Sequence, residues 1–131
     1  LYVFNAHLDH VGEQSREESS RLIVDRIASH VGDDPFILLG DFNAEPDSRV
    51  YSIITSDSAR IGLNDASAAA EIAYGPGATF FGFEVNDLPG RRIDYVFVSE
   101  STSVTRYGVL TDQLEGRYPS DHLPVVVELR F

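Results

Sequence analysis

An unbroken apolar run, Phe36-Ile37-Leu38-Leu39, constrains this chain more than any other feature of its sequence. A strand with one wet face alternates apolar with polar residues, so a continuous run belongs to a strand buried on both faces. Such a strand needs a layer above and a layer below it. One layer is visible upstream, where Ile23, Val24, Ile27, Ala28 and Val31 recur at helical spacing and form a single apolar stripe, with Gly32 as its stop. Ser15 and Glu18 have the spacing of a capping box, which predicts a helix start at Ser15. Before it, Leu1–Asn5 reads as a short strand ending in the polar run His7-Leu8-Asp9-His10.

Downstream, Asp47 is expected to cap a short helix carrying Val50, Tyr51, Ile53 and Ile54. The stretch from Asn64 to Gly90 is rich in Ala, Gly and Pro and predicts mostly loop, with a short strand near Thr79–Phe81. Arg92–Ser99, Val104–Val109 and Val125–Phe131 carry the β-branched and aromatic residues of strands. Helices and strands mix, and the later strands are expected to be largely antiparallel, which predicts an α/β layered sandwich. With 131 residues and no repeat, linker or low-complexity tract, the chain reads as one domain.

Composition narrows the classes. A hydrophobic content of 43% is that of a globular chain, and no apolar run is long enough to span a membrane. Nothing resembles a signal peptide. The absence of Cys removes disulfides and thiolate metal sites and fits a reducing compartment, so a cytoplasmic location is expected. Acidic residues number 21 against 10 basic ones, all of them Arg, giving a formal charge of −11. That charge repels polyanions, which argues against a long nucleic acid as substrate. The acidic residues are scattered rather than grouped, and this favours a second explanation, a surface adapted to high salt. Leu1 already stands inside a strand and no initiator Met precedes it, which predicts a fragment of a longer protein.

Chemistry-bearing residues collect at strand ends. Asp41 and Asn43 lie two residues apart after the buried strand, where ligands of α/β sheets tend to sit, although Gly40-Asp41-Phe42-Asn43 would also suit a plain turn. Asp94 stands among apolar neighbours in Arg92-Ile93-Asp94-Tyr95-Val96-Phe97 and needs a partner. A histidine whose tautomer it fixes is a good candidate, and an edge strand with Asp94 in water is the alternative. Asp121 and His122 precede the last strand between Pro119 and Pro124. In an antiparallel pair the start of one strand lies beside the end of its neighbour, so His122 can meet Asp41 and Asp94. His7 and His10 could bind metal or donate to phosphate oxygens, or form an ordinary surface loop. Arg16, Arg91 and Arg92 are the cations near these motifs. Phe81 and Phe83 could stack on bases but read better as core.

In order, these signals are Asn5-x-His7-Leu8, Gly40-Asp41-Phe42-Asn43, Arg92-x-Asp94-Tyr95-Val96-Phe97 and Ser120-Asp121-His122-x-Pro124. The ordered set resembles the endonuclease/exonuclease/phosphatase superfamily, which includes abasic-site endonucleases, DNase I-like enzymes, inositol polyphosphate 5-phosphatases, sphingomyelinases and deadenylases. The resemblance runs from Phe4 to Val127, and the stretch from Thr79 to Tyr95 looks most like the deadenylase-related branch and its microbial relatives.

The resemblance implies a divalent-metal-dependent phosphoester hydrolase using Mg²⁺, or Mn²⁺ in its place, on a phosphodiester or phosphomonoester. A nuclease acting on DNA or single-stranded RNA is one alternative, and a non-catalytic interaction domain with the same fold is another. By matching motifs, Asp41 orients or deprotonates water and Asn43 holds water or a phosphate oxygen. His122 contacts phosphate or acts as base, and Asp94 orients it. His7 matches a phosphate-contacting histidine and His10 a second polar contact that varies between branches, and Asp121 joins Asp41 near the metal. Outside the motifs, Arg16 could reach a substrate phosphate or simply stand exposed at the start of its helix. The metal's main Glu ligand is expected in an N-terminal half that is absent here. On this expectation residues 1–131 are the C-terminal portion of a DNase I-like domain and supply about one sheet. The inner face of that sheet, with Val125, Val127 and Leu129, is then left uncovered.

Overall fold

The computed structural model describes residues 1–56, 61–83 and 90–131. The apolar run becomes β2 (Phe36–Asp41), flanked by β1 (Tyr2–His7) in parallel and β5 (Asp94–Ser99) antiparallel. As the run demanded, both of its faces are covered. Phe36 and Leu38 turn to one core with Ile27 of α1 (Glu13–His30) and Val50 and Ile54 of α2 (Arg49–Thr55). Ile37 turns to a second core, with Leu39 packed against it, shared with Val104, Tyr107 and Val109 of another sheet.

That other sheet is the main departure from expectation. Among the described residues there are two sheets, not one. The first has strand order β1-β2-β5-β3, with β3 at Leu63–Asp65. The second has order β4-β6-β7, from Ile72–Tyr74, Ser103–Val109 and Val125–Arg130. A four-residue helix, α3 (Ala66–Ala69), joins β3 to β4. Val125, Val127 and Leu129 are therefore not uncovered: they pack on the core between the sheets, while Val126 on the other face is exposed. The layered α/β sandwich stands, and the later strands are largely antiparallel, with β4 and β6 a parallel exception.

Local starts differ from the sequence reading. Helix α1 begins at Glu13 with Gly12 as N-cap and no side-chain cap, so Ser15 lies inside the helix rather than before it. Asp9 does the local work instead, accepting from the Val11 and Gly12 N–H groups, each at 3.1 Å. Those two donors hold its carboxyl below the usual range. The cap of α2 is Ser48, one residue after Asp47, and it accepts from Tyr51 N–H at 3.2 Å. The stretch read as mostly loop holds β3, α3 and β4, and its 84–89 part lies outside the described residues.

Candidate functional site

Strand pairing brings three of the expected residues into one row. In register across β1, β2 and β5, His7 faces Asp41 and Asp41 faces Asp94. The edge-strand alternative for Asp94 falls, because β5 lies between β2 and β3. Gly40 makes the close approach possible: a Cβ there would stand 1.8 Å from the Ala6 carbonyl oxygen, and its φ of +137° suits glycine. Phe42 then turns inward, edge-on to Tyr95 and Phe97 with centroids 5.8 and 5.3 Å away, and its burial leaves Asp41 and Asn43 at the rim.

Asn43 adopts a left-handed φ of 47°, which Asn tolerates better than most residues. Its backbone N–H donates to Asp41 Oδ1 at 2.8 Å, and its Nδ2 donates to the Leu8 carbonyl at 2.9 Å. Asn43 thus orients the carboxylate and ties it to the end of β1. The motif is a turn as well as a site; the two readings describe one structure.

His122 arrives from the second sheet, just before β7. Its Nδ1 lies 2.8 Å from Asp94 Oδ2, and its Nε2 is 3.9 Å from Asp41 Oδ2. His7 Nε2 is 3.4 Å from the same Asp41 oxygen, with a largely exposed side chain. Two carboxylates directly opposite on neighbouring strands repel. Asp94 is engaged by His122, which leaves Asp41 as the carboxylate more open to a cation.

Asp41, Asp94 and His122 each offer an atom within 4.8 Å of the others, the group among the described residues with metal-ligand spacing. Asp121 is outside that group; its carbonyl accepts from Phe81 N–H, and its carboxylate meets the Ser120 hydroxyl at 3.4 Å. His10 is largely exposed and nearest Asp9 at 3.9 Å. Arg16 donates through Nη1 to the Asp9 carbonyl at 3.0 Å. It also lines, with Asn43, Glu45, Arg49 and Arg91, a cleft of about 310 Å³ beside Asn43. Arg91 lies over Phe80 at 5.2 Å, and Phe80 meets the His122 ring edge-on at 4.9 Å. Phe81 is buried as expected of core, whereas Phe83 is exposed.

Arg92 turns away from this cleft. It pairs with buried Asp65, which also accepts from the Tyr51 hydroxyl at 3.0 Å, and it lies over the Tyr95 ring at 4.6 Å. Burial opposes its charge, yet the bond and charge of Asp65 outweigh this and leave its pKa above the ordinary value. Burial raises Tyr95 and Tyr107 as well, and burial with the Asp65 charge pushes Tyr51 up to about 12. Sequence reasoning missed Asp65, Tyr51 and Thr79 as supports of the site, since each looks like an ordinary residue of its segment. Only the Arg92-x-Asp94 spacing hinted that a cation stood close behind the strand.

A family model described as the endonuclease/exonuclease/phosphatase family matches residues 3–122. The chain belongs to that family. Its structure is similar to a mannosyl-6-phosphatase of Bacteroides thetaiotaomicron, with 38% identity and a TM-score of 0.88, covering 98% of this chain and 51% of that one. Human Nocturnin is 29% identical over 106 residues, 74% of this chain and 25% of Nocturnin. The solved Nocturnin catalytic domain, with bound sulfate, shares the fold at a TM-score of 0.71 and 24% identity, covering 98% of this chain and 46% of that one. The chain thus spans about half the length of the solved relatives it matches. No helix among the described residues is long and apolar enough to cross a membrane.

Proposed function

We propose that this chain carries the water- and phosphate-positioning half of a divalent-metal-dependent phosphoester hydrolase. The carrying observation is the Asp94–His122 contact of 2.8 Å set beside an Asp41 that Asn43 holds in place. With Nδ1–H donating to Asp94, the other ring nitrogen faces the same space as Asp41. A phosphate seated there accepts a hydrogen bond from His122 at Nε2, while Asn43 Nδ2, bonded to the Leu8 carbonyl and beside Asp41 Oδ2, holds the carboxylate in place. Asp41 takes the proton of the attacking water. Asn43 and His7 keep that carboxylate oriented. The water oxygen bonds phosphorus in line as the ester P–O bond breaks, and the leaving oxygen takes its proton from solvent.

The donor set fits a hard cation in part. Asp41 is the carboxylate that would hold Mg²⁺ or Mn²⁺, because Mg²⁺ binds through one or two carboxylates plus substrate phosphate. The ion supplies Lewis-acid stabilisation of charge on the phosphate. The remaining ligand, a Glu, is assigned to an N-terminal half of the same domain. The chain spans about half the length of the solved relatives, which leaves room for a ligand outside it.

Among substrates, a small phosphate ester is favoured over a nucleic acid. The formal charge of −11 opposes backbone binding, and the cleft beside Asn43 mixes Arg16, Arg49 and Arg91 with Glu13, Glu17, Glu45 and Asp47. The 38% identity to a protein named mannosyl-6-phosphatase points the same way. Turnover by the full-length protein of hexose 6-phosphates, bis-p-nitrophenyl phosphate, abasic DNA and single-stranded RNA, with Mg²⁺ or Mn²⁺, tests the reading. Metal-dependent hydrolysis of the small esters supports it; hydrolysis confined to nucleic acid, or none, defeats it. A non-catalytic role is opposed by the grouping of Asp41, Asn43, Asp94 and His122 at one place.

A further inference from the structure

The Asp94–His122 contact joins two sheets. Asp94 opens β5 of the four-stranded sheet, His122 leads into β7 of the three-stranded one, and those two strands do not pair. Ladder hydrogen bonds therefore cannot fix the distance between them, so something else must.

The segment Thr79–Phe81 lies between the two. Phe80 bridges to Arg91 on one side and to His122 on the other. Thr79 and Phe80 N–H both donate to the Arg91 carbonyl, at 3.0 and 2.9 Å, and Arg91 N–H returns a bond to Phe80 at 2.9 Å. On the opposite side, Phe81 N–H donates to the Asp121 carbonyl at 3.1 Å, and Leu123 N–H to the Thr79 carbonyl at 2.7 Å. His122 is thus held from both neighbours. Gly90 permits the approach, because a Cβ there would lie 2.0 Å from the Phe80 carbonyl oxygen.

Thr79 adds what backbone pairing lacks. It is 0% exposed, and its hydroxyl oxygen accepts from Ile93 N–H and Asp94 N–H, each at 3.1 Å. One residue therefore holds Asp94 through its side chain and the residue after His122 through its carbonyl. We propose that Thr79 is the positioning residue that sets the spacing of the Asp94–His122 pair. The role rests on the proposed hydrolase reading for its catalytic consequence, though not for its geometry.

Two substitutions separate positioning from packing. Thr79→Val keeps shape and methyl but removes the acceptor; Thr79→Ser keeps the acceptor and removes a methyl. If Thr79 served packing, serine would be the worse change. Positioning makes valine the worse one, lowering kcat on a phosphate ester by on the order of 10²-fold, as expected for a displaced catalytic group, with little change in KM. The downfield proton resonance of His122 Nδ1–H in the full-length protein should shift or broaden in Thr79→Val and persist in Thr79→Ser. Should valine prevent folding, Thr79→Cys weakens the acceptor more gently and is expected to give the same direction. Wild-type kcat and an unmoved resonance in either valine or cysteine would overturn the proposal, as would serine being the more damaging. A wild-type protein inert on every phosphate ester defeats the hydrolase reading, and the resonance comparison still decides Thr79.

Discussion

Removing the Asp65 carboxylate should destabilise the fold by several kcal/mol. Asp65 is 5% exposed and accepts from the Arg92 guanidinium, from Tyr51 OH at 3.0 Å, and from Ser67 N–H and OH at 2.9 Å each. In Asp65→Ala the Arg92 head, its side chain 17% exposed and its Nε already without a hydrogen bond, loses its counter-charge. Breaking such a buried pair by removing one partner costs about 3–5 kcal/mol. The stranded Tyr51 and Ser67 donors add about 1 kcal/mol between them after relaxation. The expected loss is thus about 4–6 kcal/mol, read by urea denaturation of the full-length protein with m unchanged. Replacing both partners, as Asp65→Leu with Arg92→Met, should recover much of that loss, since no charge is then left unpaired. A loss for Asp65→Ala below about 1 kcal/mol, or a double variant no better than the single, would refute the reasoning.

Alkaline pH should weaken the fold through the same network. Tyr51 is pushed up to about 12 by burial and by Asp65, so it keeps its proton in the folded state after the unfolded chain has lost it. This contribution is whole below pH about 10 and is lost as pH rises towards 12, and Tyr51→Phe should flatten that part of the stability curve. Phe42→Ala should cost about 3–5 kcal/mol by opening a cavity between Tyr95 and Phe97. It should also lower turnover, because Phe42 anchors the turn that aims Asp41. Asp94→Asn and His122→Ala should each reduce kcat strongly, and the double variant should be little worse than His122→Ala alone, as for residues acting as a unit. Additive losses would contradict the pairing.

The fold was most legible where one physical demand dominated. A run as apolar as Phe36–Leu39 admits few environments, and both its faces are indeed covered. The stripe through Val24 and Ile27 likewise has one buried outcome. Boundaries were harder, because Gly12 and Asp9 settle the start of α1 as effectively as Ser15 would have. The second sheet was hidden for another reason: β4 is three residues long with every one exposed, so it carries no periodic signal. Its place is fixed by pairing with β6, a long-range event. In the candidate site, the meeting of Asp41, Asn43, Asp94 and His122 was readable because polar residues recur at strand ends in one ordered set of motifs. Thr79 and Asp65 were not, since a threonine in a glycine-rich stretch or an aspartate after Asn64 is unremarkable until its partners are known.

The central claim is that Asp41 is the carboxylate on which metal-assisted water attack depends. The direct measurement is kcat of Asp41→Ala against wild type in the full-length protein, on bis-p-nitrophenyl phosphate with saturating Mg²⁺. A loss on the order of 10²–10⁴-fold, the range typical of a catalytic base, is predicted, with the far-UV spectrum unchanged. Unaltered metal-dependent turnover would contradict the account.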